Sequence, residues 1–95
     1  MTKTPQQICL DAAKLLEDKG WCQGTYSGFN GSHCLMGALY EVSTKEEDVD
    51  AVRPTSLVRE VLGLGFHDSV ISWNDVPVRT KDEVVAVLRK AGGQA

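Results

Sequence analysis

The sequence predicts one small all-α domain over residues 1–95, a compact bundle of four or five helices with one irregular loop. Three observations lead to this prediction. A chain of this length builds a single hydrophobic core and is too short for two. Apolar residues recur at intervals of three and four along most of the chain, which is the period of an amphipathic helix. Residues that start and stop helices bracket these stretches.

The first helix is predicted over residues 5–19. Thr4 is suited to cap it, Pro5 to start it, and Gln7 to reach back toward the cap as in a capping box. Leu10 lies among polar neighbours, outside the apolar stripe, so we expect it to be exposed. The stripe itself comprises Ile8, Cys9, Ala12, Leu15 and Leu16.

Residues 20–32 are predicted to form the irregular loop, because they contain four glycines and three aromatic residues. Glycine disfavours regular structure and aromatic side chains need apolar cover, so we expect the loop to pack over the helices. The turn signal at Asn30 and Gly31 leaves a short hairpin over 21–31 open as an alternative. A single two-stranded ribbon is not stable by itself, which favours the packed loop.

A second helix is predicted over residues 33–42, with Ser32 as its cap. Gly37 lies inside this helix, where glycine costs about 1 kcal/mol relative to alanine. We therefore expect another part of the backbone to approach closely at this position. The apolar stripe comprises Leu35, Ala38, Leu39 and Val42. Residues 43–53, which follow, are predicted to form a solvated connection.

A third helix is predicted to follow Pro54 and to end at Gly63. Its inward side chains are expected to be Leu57, Val58, Val61 and Leu62. Asp68 is suited to cap a short fourth helix that stops before Pro77. The apolar residues of that helix are Val70, Ile71 and Trp73.

The last helix carries the strongest signals at its two ends. Thr80 and Glu83 are spaced as a capping box, and Gly92 follows the last apolar residue. Acidic side chains stand at its beginning and basic side chains at its end, which is the distribution that the helix dipole favours. Its apolar stripe comprises Val84, Val87, Leu88 and Ala91.

The composition excludes several classes of protein. A chain with 42% hydrophobic and 24% charged residues is too apolar to be disordered. Thirteen acidic and ten basic residues give a net charge of −3, so no nucleic acid partner is expected. The apolar runs are too short to span a membrane, and no secretory signal is recognisable. Three cysteines, an odd number, favour reduced thiols in the cytoplasm over disulfides.

Three short strings stand in order along the chain: GWCQG at 20–24, CLMGAL at 34–39 and WNDVPVRTKDEV at 73–84. Together they resemble a family of small proteins of unknown function from actinobacteria and their phages, over nearly the whole chain. Val78 stands where that family usually has glycine. The resemblance implies a fold and a cytoplasmic setting but no activity. A phage origin would favour a small accessory or host-directed binding protein.

Cys34 is the candidate nucleophile, because the predicted second helix places it at its second position. Free backbone N–H groups and the helix dipole favour a thiolate there, and His33 and His67 are candidate bases. Two arguments oppose catalysis. His33 would point away from Cys34 on a helix, and unpaired cysteines are among the residues most often buried. A small cysteine-dependent hydrolase or transferase is therefore the alternative function, and no catalytic residue is assigned.

Neither a metal nor a cofactor is expected. A zinc site would have to use Cys22, Cys34 and the two histidines, but structural zinc sites normally carry paired ligands two to four residues apart. The glycines of the loop do not have the spacing of a phosphate-binding motif. Asp75 and Arg79 are expected to form a local ion pair or a turn cap.

Six residues near two predicted helix ends form the candidate site: Trp21, Gln23, Trp73, Asn74, Asp75 and Arg79. We expect short connections to bring them to one end of the bundle, with the two tryptophans in contact. One interpretation is that they close the core and cap the turn. The other is a docking patch with aromatic anchors. The favoured function is a non-catalytic binding protein whose partner is a cytoplasmic protein or a second copy of the chain.

Overall fold

The structure, a computed structural model, describes residues 4–28, 31–43, 52–65 and 69–93. These residues contain five helices: α1 Pro5–Lys19, α2 Leu35–Val42, α3 Val52–Leu62, α4 Val70–Asn74 and α5 Lys81–Ala91. No strand occurs among the described residues. The predicted all-α bundle is therefore confirmed.

Helix α1 packs against three others, α2, α3 and α5, and so provides the centre of the bundle. Helix α5 also packs against α3, while the short α4 packs against α2 and α3. The predicted apolar stripes supply the core between them. Its largest fully buried apolar side chains are Ile8, Leu16, Leu35, Leu39 and Leu88. Because the stripes of α1 and α5 face each other, the two helices with the most regular patterns form the main interface.

The predicted start of α1 and both predicted ends of α5 agree with the structure. The Thr4 hydroxyl accepts a hydrogen bond of 3.1 Å from the Gln7 backbone N–H, with Pro5 in the first turn. The capping box predicted with Gln7 is not formed at this helix start, and the Gln7 amide nitrogen donates to Asp11. The capping box of α5 is complete, with Thr80 as its first member.

Three other predicted helix starts are wrong. Helix α2 begins at Leu35 with Cys34 as its cap, and not at residue 33 with Ser32. The cause is tertiary, because residue 33 is held in backbone bridges to the loop before it. Helix α4 is capped by Ser69, whose hydroxyl accepts from the Ser72 N–H, and Asp68 lies outside the described residues. Helix α3 already begins at Val52, so Pro54 lies in its first turn.

The loop before α2 is irregular over its described residues, and of the hairpin alternative a single antiparallel bridge is present, between Ser27 and His33. His33 forms two isolated backbone bridges, a parallel one with Trp21 and an antiparallel one with Ser27. The loop thus closes on the residue before the cap of α2. Tyr26 then lies directly against Gly37, whose added Cβ would stand 2.0 Å from the Tyr26 carbonyl oxygen. The expected close approach of another backbone at Gly37 is confirmed.

Two further expectations need correction. Leu10 is partly buried, because it packs over Gly92 at the end of α5. The connection after α2 begins with Ser43, which is buried and donates its hydroxyl to the Leu39 carbonyl, while 44–51 lie outside the described residues. None of the described helices has the length and apolar character that a membrane crossing requires.

Candidate functional site

Asn74, the last residue of α4, is the centre of the candidate site and is only 1% exposed. Its side-chain oxygen accepts hydrogen bonds from the Trp21 indole N–H, at 2.7 Å, and from the Leu35 backbone N–H, at 3.1 Å. Its amide nitrogen donates to the Cys22 carbonyl at 3.2 Å and to Asp75 Oδ1 at 2.9 Å. Both donors and both acceptor positions of the amide are therefore used, and they join the loop, α2 and α4.

Gln23 and Asp75 fasten the loop to the turn after α4. The Gln23 side-chain amide donates to the carbonyls of Asn74, at 3.0 Å, and Val76, at 2.7 Å. Asp75 Oδ1 accepts from the Gly24 backbone N–H at 3.0 Å. The expected local turn cap is therefore not what the Asp75 side chain forms, since the backbone N–H that it accepts lies in the loop, 51 positions earlier.

Arg79 binds Trp73 in two ways. Its guanidinium carbon lies 3.9 Å from the centre of the Trp73 ring, and its Nε donates to the Trp73 carbonyl at 3.0 Å. Its Nη1 forms an ion pair with Glu83 Oε2 at 3.0 Å. The expected ion pair with Asp75 is therefore wrong, because Glu83 lies four residues further along, one helical turn into α5. The Arg79 guanidinium holds the pKa of the Glu83 carboxyl below its ordinary value.

The six predicted site residues thus lie together, and we call them the Asn74 network: Trp21, Gln23, Trp73, Asn74, Asp75 and Arg79. The link between the two tryptophans runs through Asn74, which accepts from Trp21 and follows Trp73 in α4. Hydrogen bonds to the backbone and to one another engage the polar side chains of the network. Such a network holds two loops in one arrangement. Its use in binding a partner stays a prediction.

Cys34 lies at the start of α2 as its cap. Its thiol sulfur accepts a hydrogen bond of 3.3 Å from the Gly37 N–H, and the side chain is 3% exposed. Burial raises the pKa of the Cys34 thiol, although the N–H groups of Met36 and Gly37 partly oppose this shift. Cysteine is not a usual cap residue, so sequence rules for helix starts pass over it.

The predicted partners of Cys34 do not form a metal centre with it within the part of the chain that the structure describes. His33 uses its backbone to bind the loop, donating to the Gly20 carbonyl and accepting from the Cys22 N–H. His67 lies outside the described residues. Over 4–28, 31–43, 52–65 and 69–93, no three histidine, cysteine or acidic side chains stand close enough to hold a metal ion.

A groove of about 350 Å³ opens over Cys34, between the loop and α4. Its walls are the side chains of Tyr26 and Ile71, which are 51% and 39% exposed. We call it the Tyr26 groove, and it is lined by Gly24, Thr25, Tyr26, Cys34, Ile71 and Asp75. Neither Tyr26 nor Ile71 was predicted as a site residue. Ile71 belongs to an apolar helix pattern and Tyr26 to a loop whose aromatic side chains were expected to be covered.

The ring of Tyr26 separates this groove from a second hollow of about 280 Å³. There Tyr26 meets Tyr40 edge to face, with ring centres 5.9 Å apart and planes at 83°. Tyr40 is 39% exposed, and Glu41 also lines the hollow. Tyr26 therefore lines both depressions, together with Ile71 in the first and Tyr40 in the second.

Comparison with known proteins identifies a family and no function. No curated protein and no solved structure matches the chain. One family model, described as a family of unknown function, matches residues 1–94. That match covers nearly the whole chain and all three of the strings on which the resemblance rested. The chain therefore belongs to the family of unknown function DUF6197.

Proposed function

We propose that this chain is a non-catalytic binding protein, that it acts through contact with another protein, and that the Tyr26 groove is the contact site. The observation that carries the proposal is that Tyr26 and Ile71, both partly exposed, line the same groove. Exposed apolar side chains that stand alone are common on protein surfaces, whereas those that share a depression are typical of binding sites. Tyrosine is also among the residues most enriched in interfaces.

The backbone that carries Tyr26 is held from two sides, which supports its use as an anchor. The Tyr26 carbonyl accepts from the Cys34 N–H at 3.1 Å, and the same carbonyl lies against Gly37. A tyrosine whose backbone is fixed before binding loses little conformational entropy when a partner arrives. The edge-to-face contact with Tyr40 restricts its ring further.

The Asn74 network holds the elements that line the Tyr26 groove, which supports the same site. Asp75 belongs to the network and also lines the groove. Trp21, Gln23 and Asn74 connect the loop that carries Tyr26 to the end of the helix that carries Ile71, whereas Arg79 connects Trp73 of that helix to Glu83 of α5. We assign them a positioning role in binding, with Asp75 as the member that faces the partner.

The alternative function, a small hydrolase or transferase that uses Cys34, is favoured by one observation. Cys34 lines the groove at the N-terminal end of α2, where a substrate would reach it. Against it stands the raised pKa of the thiol, because a protonated thiol is a poor nucleophile at neutral pH. The thiol also has a structural task as the helix cap, so we rank the enzyme second.

The cellular setting belongs to the proposal and rests on the resemblance described above. We propose a cytoplasmic accessory protein, encoded by an actinobacterium or one of its phages. In the phage case the partner would be a host protein. The alternative partner that the groove would bind is a second copy of the chain.

Co-purification with matched variants tests the proposed function. Ile71→Lys places a positive charge in the groove, whereas Val78→Lys changes a side chain that is 81% exposed and lies outside the lining of the groove. We expect a protein from the native host to co-purify with the unchanged chain and with Val78→Lys, but not with Ile71→Lys. If the partner is a second copy, the mass in light scattering follows the same pattern. Equal results for the two variants, both folded, would contradict the proposal.

A further inference from the structure

We infer that the Tyr26 groove receives a basic side chain, arginine or lysine, of the partner protein. This inference rests on the proposed function and adds the chemistry of the partner. A volume of about 350 Å³ lies near the lower end of the roughly 300–1,000 Å³ range of small-molecule pockets. Such a groove suits one inserted side chain together with the backbone that carries it.

The walls of the groove suit the aliphatic part of such a side chain. Tyr26 and Ile71 offer partly exposed apolar surface to the groove, and Cys34 also lines it. The methylene groups of lysine and arginine pack on apolar surface while the charged end stays at a polar group or in water. The face of a tyrosine ring also attracts a cation that lies over it.

The charged end would meet Asp75. Oδ1 of this carboxylate accepts from the Gly24 N–H, at 3.0 Å, and from the Asn74 amide, at 2.9 Å. Oδ2 receives no hydrogen bond from the described residues, so half of the carboxylate is available to a donor from outside. Because two hydrogen bonds already orient the carboxylate, an incoming ammonium or guanidinium group meets a fixed acceptor.

The surrounding charges favour a cation over an anion or a neutral group. No basic side chain occurs among the described residues that line the groove, and Glu41 lies in the hollow on the other side of Tyr26. The whole chain has a net charge of −3. A neutral apolar side chain would desolvate the Asp75 carboxylate without compensation, and an acidic one would be repelled.

The chain contains one internal example of the same recognition. Arg79 lies over the Trp73 ring at 3.9 Å while its guanidinium pairs with the Glu83 carboxylate at 3.0 Å. In the Tyr26 groove an aromatic ring and a carboxylate again line one site, but here no basic side chain of the described chain occupies it. The partner would supply the missing cation.

A displayed library of random peptides, selected on the full chain, tests the inference without knowledge of the partner. The same selection on Ile71→Lys, which repels a cation from the groove, and on the matched control Val78→Lys separates groove-dependent peptides from the rest. We expect groove-dependent peptides to be enriched in arginine or lysine at one position. In a synthetic copy, citrulline for arginine or norleucine for lysine should weaken binding by about tenfold or more.

Asp75→Asn provides the matching change on the protein. Its amide oxygen still accepts from the Gly24 N–H, so the loop keeps its anchor while the charge is lost. We expect this variant to bind the basic peptide about as weakly as the unchanged chain binds the neutral copy. Groove-dependent peptides without an excess of basic residues, or equal binding of the neutral copy, would overturn the inference and leave the proposed function standing. If no peptide depends on Ile71, the proposed function itself fails.

Discussion

The indole N–H of Trp21 donates a hydrogen bond of 2.7 Å to the side-chain oxygen of Asn74, across 53 positions of sequence. The same oxygen also accepts from the Leu35 N–H, the first residue of α2. One buried amide thus connects the loop before α2, the start of α2 and the end of α4. This connection holds the two walls of the Tyr26 groove in place, and it is open to direct test.

Asn74→Ala should destabilise the protein by about 3 kcal/mol or more. The change leaves the Trp21 indole N–H, the Leu35 N–H and the Cys22 carbonyl without their partner, and each buried polar group left unpaired costs roughly 1–3 kcal/mol. Urea unfolding measures the difference. Lys14→Ala, at an exposed position of α1, is the control and should stay within about 0.5 kcal/mol of the unchanged chain. A loss below about 1 kcal/mol for Asn74→Ala would show that the network is not a structural centre.

Gly37→Ala should also destabilise the protein, although alanine is the better helix former by about 1 kcal/mol. The added Cβ would stand 2.0 Å from the Tyr26 carbonyl oxygen, so the loop would have to move away from α2. We expect a loss of about 1–3 kcal/mol in urea unfolding, the usual range for an overpacked contact. Ala86→Gly, at an exposed position of α5, calibrates the helix propensity alone. If Gly37→Ala were more stable than the unchanged chain, helix propensity would outweigh the clash, which would contradict the close contact with Tyr26.

Thr80→Ala should cost about 1 kcal/mol, which is typical for the loss of an N-cap. The Thr80 hydroxyl accepts from the Glu83 N–H, and the Glu83 carboxylate accepts from the Thr80 N–H at 3.1 Å. In a domain of this size the melting temperature should fall by roughly 4–8 °C. Thr80→Ser keeps the hydroxyl and should restore most of the loss. An unchanged melting curve for Thr80→Ala would mean that the capping box contributes nothing.

Glu83 should make stability depend on pH at the acid end of the range. Its pKa is lowered below the ordinary value of 4.5, chiefly by the hydrogen bond from Arg79. A carboxyl whose pKa is lower in the folded state stabilises that state above the unfolded pKa and ceases to do so as pH falls through the folded pKa. The difference in stability between the unchanged chain and Glu83→Gln should therefore be constant near neutral pH and shrink below about pH 4.5. A difference that grows on acidification would contradict the sign.

The three cysteines should differ in reactivity toward a thiol reagent in the folded protein. Cys22 is half-buried and should react first, whereas Cys9 and Cys34 are buried and should react only after unfolding. Burial raises the pKa of Cys9 to about 11 and raises that of Cys34 as well. In the Cys22→Ser variant, the rate of reaction with the reagent across pH reports on the two buried thiols alone. A Cys34 thiol that reacts in the folded state with a pKa well below ~8.5 would favour the enzyme over the binding protein.

The residues of the candidate site could largely be predicted from the sequence, because residue type and position beside a turn indicate them. Tryptophan, asparagine and arginine beside a turn indicate a packed polar cluster, and the six residues do lie together. Their pairings could not be predicted. Asp75 and Glu83 are both four positions from Arg79 along the chain, and Arg79 forms its ion pair with Glu83, which lies in the first turn of α5. The Tyr26 groove was missed entirely, since no local pattern distinguishes a tyrosine that is covered from one left half exposed.

The sequence by itself determined the helices whose start and stop signals lie within one or two turns of their ends. Helix α1 and helix α5 begin and end where the caps and apolar spacing indicate, because an N-cap bonds a backbone group only two or three residues away. The tertiary structure decided the start of α2. There Cys34 is the cap because residue 33 is held by Gly20 and Cys22, more than ten positions earlier. The groove has the same origin: Tyr26 and Ile71 are 45 residues apart in the chain, and the side chains of Gln23, Asn74 and Asp75 join the loop of the one to the end of the helix of the other.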